Sequence, residues 1–280
     1  MKIGAHVSAA VSFDKAIDRA QEIGAEAVQI FVSGPTTWRM RVPLPEECRA
    51  FRDKSKAAGI VPAFFHGVYL INLGSPNPEL VAKGVESLIK YQEAAALLGA
   101  AGTIFHVGSH KGQGFDAVLP QVVRAMHAVL EGMPQGVSLI IENSAGMGQS
   151  IGSSFGEMGV IIRAVGSERV QVCLDTQHCF ANGYNVAAKG GLDAAMEEFD
   201  REIGLGRLVA VHANDSQCAL EGGLDRHENI GEGHIGREGF EAIMAHPAMQ
   251  APVFLLEVPG FEGGGPDKRN VDILKQMRGS

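Results

Sequence analysis

Six side chains able to bind a metal recur through the 280-residue chain, each closing a short apolar run: His66, His106, Glu142, Asp175, His212 and Glu257. They stand 40, 36, 33, 37 and 45 residues apart. A single His or Glu at the end of an apolar run is usually a hydrogen-bonded structural residue, but six in succession at a near-constant interval are not explained that way. Gathered around one pocket, the carboxylates would repel one another, and bound cations would make the cluster tolerable. Two short motifs add three more candidates. In Asp175-Thr176-Gln177-His178 one turn of chain aims an acid and an imidazole at the same region, and in Asp225-Arg226-His227 an extended loop puts both side chains on one side. The nine residues comprise four carboxylates and five imidazoles. That is too many for one tetrahedral zinc and suits a cluster of two or three ions.

The interval between them is that of a strand plus a helix. β-type runs are expected at residues 2–6, 27–31, 62–66, 103–106, 138–142, 170–175, 208–212 and 253–257, each followed by a stretch with helical periodicity. Eight such units without a linker predict one α/β domain spanning residues 1–280, a (β/α)8 TIM barrel with its metal site at the C-terminal ends of the strands. A doubly wound open sheet is disfavoured because no glycine fingerprint follows the first run. Phe13, Ile17 and Ala20 share one helical face with Ser12 as N-cap, and Val81, Val85, Leu88 and residues 92–96 share another. Gly231-Glu232-Gly233-His234-Ile235-Gly236 matches the dinucleotide fingerprint by letter but follows a polar loop, and reads as a turn into a helix at Arg237. His127 and His246 read as exposed or capping residues, His110 and His234 stay open, and Cys173 reads as a small core residue.

Composition sets the outer limits. With 45% hydrophobic and 20% charged residues the chain is globular rather than disordered. No apolar stretch approaches the ~20 residues of a bilayer crossing, and residues 1–6 lack the apolar core of a signal peptide, so a soluble cytoplasmic protein without a membrane partner is expected. The cysteines Cys48, Cys173, Cys179 and Cys218 show no CxxC pair and no regular spacing, so neither a zinc ribbon nor a disulfide framework is suggested. A formal charge of -8 would argue against nucleic acid, yet three divalent cations would offset +6 of it.

The motifs carrying these residues resemble the endonuclease IV family, zinc-dependent apurinic/apyrimidinic endonucleases of DNA base excision repair. The resemblance runs through Gly4-Ala5-His6-Val7-Ser8, Tyr69-Leu70-Ile71-Asn72-Leu73-Gly74, His106-Val107-Gly108-Ser109, Glu142-Asn143-Ser144-Ala145-Gly146, Cys173-Leu174-Asp175-Thr176-Gln177-His178, His212-Ala213-Asn214-Asp215-Ser216, Asp225-Arg226-His227 and Gly231-Glu232-Gly233. It implies three Zn2+ per chain: one held by His66, His106 and Glu142, a second by Glu142, Asp175, His212 and Glu257, and a third by His178, Asp225 and His227. It further implies hydrolysis of the phosphodiester 5′ to an abasic site in double-stranded DNA, giving a 3′-hydroxyl and a 5′-deoxyribose phosphate, with activity toward blocked 3′ ends. Glu142 would be the catalytic residue that orients or deprotonates the nucleophile, and the DNA-binding positions would be His6, Tyr69, Leu70 and Thr36. Partial substitution by Mn2+ or Fe2+ is chemically compatible with these ligands, and no protein partner is implied.

Two positions depart from the family pattern. Gln177 replaces the usual Cys between two ligand positions, and Ser33-Gly34-Pro35-Thr36-Thr37-Trp38 lacks the arginine usually found in that loop, leaving Thr36 in its place. Two competing readings remain: a metal-dependent sugar isomerase or epimerase of the xylose-isomerase-like barrel type, and a non-catalytic abasic-DNA binding protein.

Overall fold

The computed structural model describes residues 1–279, and its strands and helices alternate as the periodicity requires. In chain order they are β1 (Ile3–His6), α1 (Phe13–Glu22), β2 (Val28–Ile30), α2 (Pro45–Ala58), β3 (Ala63–His66), α3 (Pro78–Leu98), β4 (Gly102–Phe105), α4 (Phe115–Gly132), β5 (Ser138–Glu142), α5 (Phe155–Val165), β6 (Val170–Asp175), α6 (Thr176–Ala181), α7 (Lys189–Glu202), β7 (Leu208–His212), β8 (Asp215–Ser216), β9 (His227–Glu228), α8 (Gly236–Ala245), β10 (Val253–Leu256) and α9 (Lys268–Arg278). Eight strands, β1 to β7 and β10, close into a barrel in which each pairs in parallel with both neighbours. Parallel neighbours cannot be joined by a tight turn, so each connection crosses over through a helix that covers the outside. The chain is a single-domain TIM barrel. β8 and β9 lie outside it as a two-stranded antiparallel ladder.

Two apolar layers hold the fold together. The larger lies between barrel and helices, where α1 contributes Phe13, Ala16, Ile17 and Ala20. The smaller is the barrel interior: Ala27, Phe64, Ile104, Ile140, Cys173, Ala210 and Leu255 form one buried cluster. Side chains two apart on a strand share a face. The residues two positions further on, Gln29, His66, His106, Glu142, Asp175, His212 and Glu257, therefore form the next layer up, and β1 adds His6 above Gly4. A Cβ at Gly4 would stand 2.6 Å from the Ala27 carbonyl oxygen, so only glycine fits there. The metal-type residues thus rest on a dry apolar floor that keeps water from reaching them from below.

Local details depart from expectation in three places. His106 and Glu257 fall one residue beyond β4 and β10. Ser12 occupies the N-cap position of α1, but its hydroxyl donates to Asp14 Oδ1 (2.6 Å) and accepts no backbone N–H. On α3 the buried stripe runs through Gly84, Ser87, Leu88, Tyr91, Gln92, Ala95 and Leu98, while Val81 and Val85 are only half-buried. The small residues Gly84 and Ser87 let α3 approach its neighbours, and this rotates the helix away from its most apolar face. Asn77 accepts the Glu79 N–H at 2.9 Å and starts α3 with Pro78 as first residue.

Candidate metal centre

Glu142, at the end of β5 and 1% exposed, is the hub. Its Oε2 lies 3.1 Å from His66 Nε2 and 3.5 Å from His106 Nε2, and its Oε1 lies 3.0 Å from His212 Nδ1 and 3.3 Å from His178 Nδ1. Three groups of donor atoms are each close enough to share one ion: His66, His106 and Glu142; Glu142, Asp175, His212 and Glu257; and Asp175, His178 and His227. Asp225, on the exposed loop before β9, completes the third. Its Oδ1 lies 3.4 Å from His178 Nε2 and 3.2 Å from His227 Nε2. The structure thus brings all nine candidates together, and it adds Asp175 to the group for which the resemblance implies only His178, Asp225 and His227.

The outer nitrogens of four imidazoles are fixed by oxygen acceptors. His66 Nδ1 lies 2.8 Å from the Gly67 carbonyl, His178 Nδ1 2.9 Å from that of Asn143, His227 Nδ1 3.3 Å from that of Glu257, and His212 Nε2 2.8 Å from Gln29 Oε1. An N–H committed outward leaves the other ring nitrogen as a lone pair pointing inward. A lone pair facing a carboxylate at 3.0–3.4 Å is repulsive unless a proton or a cation stands between them. His178 Nε2 and His227 Nε2 are buried without a hydrogen-bond partner among the described residues. These orphaned nitrogens, hard oxygens and borderline imidazoles form the donor set of zinc or a similar divalent cation.

The protonation directions say the same. Burial pushes the imidazoles of His178 and His212 down, yet Asp175, Asp225 and Glu142 around the first, and Cys173, Glu142 and Glu257 around the second, outweigh it and hold both well above the ordinary value. Burial pushes the Glu142 carboxyl up, but His106, His212 and His178 hold it well below the ordinary value, and His212 and His6 do the same for Glu257. Glu142 and Glu257, held low in this way, favour positive charge wherever the imidazole nitrogens point.

A shell of amides and hydroxyls positions these ligands. Asp175 caps α6, accepting the His178 N–H at Oδ1 (2.8 Å), and Asn214 Nδ2 donates to its Oδ2 (2.7 Å). Asn214 Oδ1 accepts the Glu257 N–H, and Asn143 Oδ1 accepts the Asp175 N–H. Gln29, wholly buried on β2, donates to Glu257 Oε1 at 2.5 Å while accepting from His212. Gln29 escapes a search of the sequence for metal ligands because it is no ligand type. A signal exists nonetheless, since a glutamine between Val28 and Ile30 is polar in an apolar run and stands two residues above Ala27.

The 277-residue match to "Probable endonuclease 4" of Halothermothrix orenii is 39% identical and covers 99% of this chain and all of that one. The relative of the same description from Methanoculleus marisnigri is 37% identical, with 99% of each chain covered. Residues 17–277 match the xylose isomerase-like TIM barrel family. Among solved structures, endonuclease IV from Thermus thermophilus superposes with a TM-score of 0.86 at 34% identity, over 99% of this chain and 98% of that one. The chain belongs to the endonuclease IV family. A D-tagatose 3-epimerase-like protein superposes with a TM-score of 0.72 at 18% identity over 99% and 95%, which shows a shared fold alone.

Of the residues that the family resemblance points to as DNA contacts, Tyr69 lines the cavity over the cluster. Tyr69 is 58% exposed, with its ring edge-on to His66 and Phe31 at 5.7 Å, and its backbone N–H donates to the Pro35 carbonyl (2.9 Å). Leu70 is half-buried against the core and Thr36 is exposed. His6 sits inside the cluster, its Nδ1 3.0 Å from Glu257 Oε1. In the departed loop Met40 packs on the core, while Arg41 lies over the Phe13 ring and pairs with Glu47 at 2.5 Å. His127 is exposed, His246 caps a short 3-10 helix, and His110 accepts the Gly114 N–H. His234 is exposed, and Cys173 is a buried member of the interior apolar layer. Among the described residues no helix is long and apolar enough to cross a membrane.

Proposed function

We propose that this endonuclease IV family member is a DNA repair endonuclease. It hydrolyses the phosphodiester bond 5′ to abasic sites in duplex DNA, leaving a 3′-hydroxyl and a 5′-deoxyribose phosphate, and also clears blocked 3′ ends. The observation that carries the reading is the convergence of nine metal-type side chains in one cluster around Glu142, in which His178 Nε2 and His227 Nε2 are buried without a hydrogen-bond partner among the described residues. His66, His106 and Glu142 would hold one zinc, Glu142, Asp175, His212 and Glu257 a second, and His178, Asp225 and His227 the third. Bound there, zinc would supply Lewis-acid stabilisation of phosphoryl charge and lower the pKa of water at the site.

The chain's own residues do the rest. Glu142 lines a cavity of about 380 Å³ with His66, His106, His178 and Asp225, so its carboxylate can orient the attacking water and take its proton. The apolar floor beneath excludes bulk water and strengthens each of these interactions. Tyr69 and Leu70 wedge into the base stack at the lesion and Thr36 approaches the DNA from the neighbouring loop, while His6, engaged at Nδ1, has Nε2 left for the DNA backbone. An abasic site has already lost one stacking partner, so opening the duplex there costs less than at an intact pair.

The sugar isomerase or epimerase reading draws on the shared fold alone, since such enzymes need fewer ions and nothing in their chemistry calls for the Asp225-x-His227 arm. Elemental analysis separates the two. Three zinc ions per chain support the nuclease; one or two, with turnover of a ketose, would overturn it.

A further inference from the structure

The glycine motif Gly231-Glu232-Gly233-His234-Ile235-Gly236 has no part in the proposed reaction, yet its backbone is organised around one atom group. The Asp215 carboxylate, wholly buried, accepts the N–H groups of Gly231 (2.9 Å), Gly233 (3.1 Å), Ile235 (2.9 Å) and Gly236 (3.2 Å), and also that of Ser216 (2.7 Å). A Cβ at Gly233 would stand 2.5 Å from Asp215 Oδ1, so the glycine is there for close approach to an internal anion. What binds a pyrophosphate elsewhere here binds the protein's own carboxylate.

The segment held in this way carries His227. β9 lies outside the barrel and, among the described residues, pairs only with β8, through Asp215↔Glu228 and Ser216↔His227; a ladder of two residue pairs is too short to hold a position by itself. Asp215 closes the loop on its far side. On the near side the Gln177 amide donates to the Leu224 carbonyl (2.8 Å), next to Asp225, and the Gln217 amide to that of His227 (2.9 Å). Asp215 also directly follows Asn214, which binds Asp175 and the Glu257 N–H. One short segment therefore sets the arm against the inner cluster.

We infer that Asp215 is the positioning residue for the outermost of the three cation sites, fixing His227 and Asp225 against His178 through the glycine loop. This rests on the three-ion reading of the site. The test uses the full zinc-loaded chain and follows zinc release to a chromogenic chelator for the parent, Asp215→Asn and Gly233→Ala. Asparagine keeps the size but turns an N–H group toward N–H donors, and alanine disturbs the same contact from the loop side should the first variant fail to fold. Partners that orient metal ligands typically contribute 10–100-fold in affinity. In both variants one zinc per chain should be released about 10–100-fold faster while two keep the parental rate, and excess zinc should restore turnover. Release of all three at the parental rate, or equal acceleration of all three, would overturn the inference alone. A parent holding fewer than three zinc ions overturns it together with the reading beneath it.

Discussion

Replacing Gln29 by leucine should disable the inner cluster without touching any ligand. Leucine has nearly the same volume and suits a wholly buried strand position, so the barrel should close as before. Three polar contacts disappear, one of them between the Gln29 amide nitrogen and His6 Nδ1 at 2.9 Å. The N–H at His212 Nε2 loses its acceptor at 2.8 Å and has no water to turn to, costing about 1–3 kcal/mol. Glu257 loses a charge-assisted donor at 2.5 Å, worth about 1.5–3 kcal/mol. The added apolar contact offsets part of this, and a net loss of about 2–4 kcal/mol in the metal-stripped chain corresponds to a melting point lowered by about 5–10 °C. A second effect follows from the tautomer. With Gln29 gone the His212 proton is free to move to Nδ1, covering the lone pair that faces Glu142 and Glu257. Zinc affinity of that group should then fall about 10–100-fold. Calorimetry of the stripped chain and a zinc titration read the two effects separately. A Gln29→Leu chain that melts with the parent and binds zinc as tightly would refute the claim that this amide fixes the imidazole.

Glu142→Gln should lower turnover by orders of magnitude while binding of an abasic duplex largely survives; a metal-loaded variant near parental turnover would remove Glu142 from the mechanism. Thr36→Arg should tighten abasic-duplex binding about 5- to 150-fold and steepen its salt dependence, because stacking of a planar group is worth roughly 1–3 kcal/mol and threonine supplies none; unchanged affinity and salt slope in a filter-binding series would favour Arg39, Met40 or Arg41 in that role. The metal-stripped chain should lose stability as pH rises past 6.5, since His178 and His212 are raised and contribute fully only below that value, and as pH falls below 4.5, where Glu142 and Glu257 begin to lose theirs. Zinc should restore the alkaline side by replacing protons, and melting curves across pH that show no such difference would contradict the raised imidazoles and lowered carboxyls of the cluster.

Much of this site was legible because barrel geometry turns a one-dimensional interval into a ring. One polar residue per strand-helix unit, each two positions above an apolar one, is enough to place His66, His106, Glu142, Asp175, His212 and Glu257 in one layer. The same rule extends to His6 and Gln29 on the first two strands, but Gln29 is invisible to a search for ligand types. The Asp225-Arg226-His227 arm was readable as two side chains on one side and not as a position, since its place comes from Gln177 and Asp215, bonds that span 47 and 16 to 21 residues. Helix faces blurred for a similar reason. On α3 Gly84 and Ser87 are buried while Val81 and Val85 are only half-buried at the edge of the core, a placement that apolar periodicity does not reveal.

The central claim is tested most directly by incubating the zinc-loaded chain with a duplex bearing a single abasic site and identifying the ends it makes. One incision is expected, immediately 5′ to the lesion, with a 3′-hydroxyl that a polymerase extends and a 5′-deoxyribose phosphate on the other fragment. The activity should persist through brief exposure to millimolar EDTA, because buried, shared carboxylates release their ions slowly. An intact duplex recovered as a tight complex would mean a binding protein, and incision 3′ to the lesion by elimination would contradict the hydrolytic role assigned to Glu142 and its ring of imidazoles.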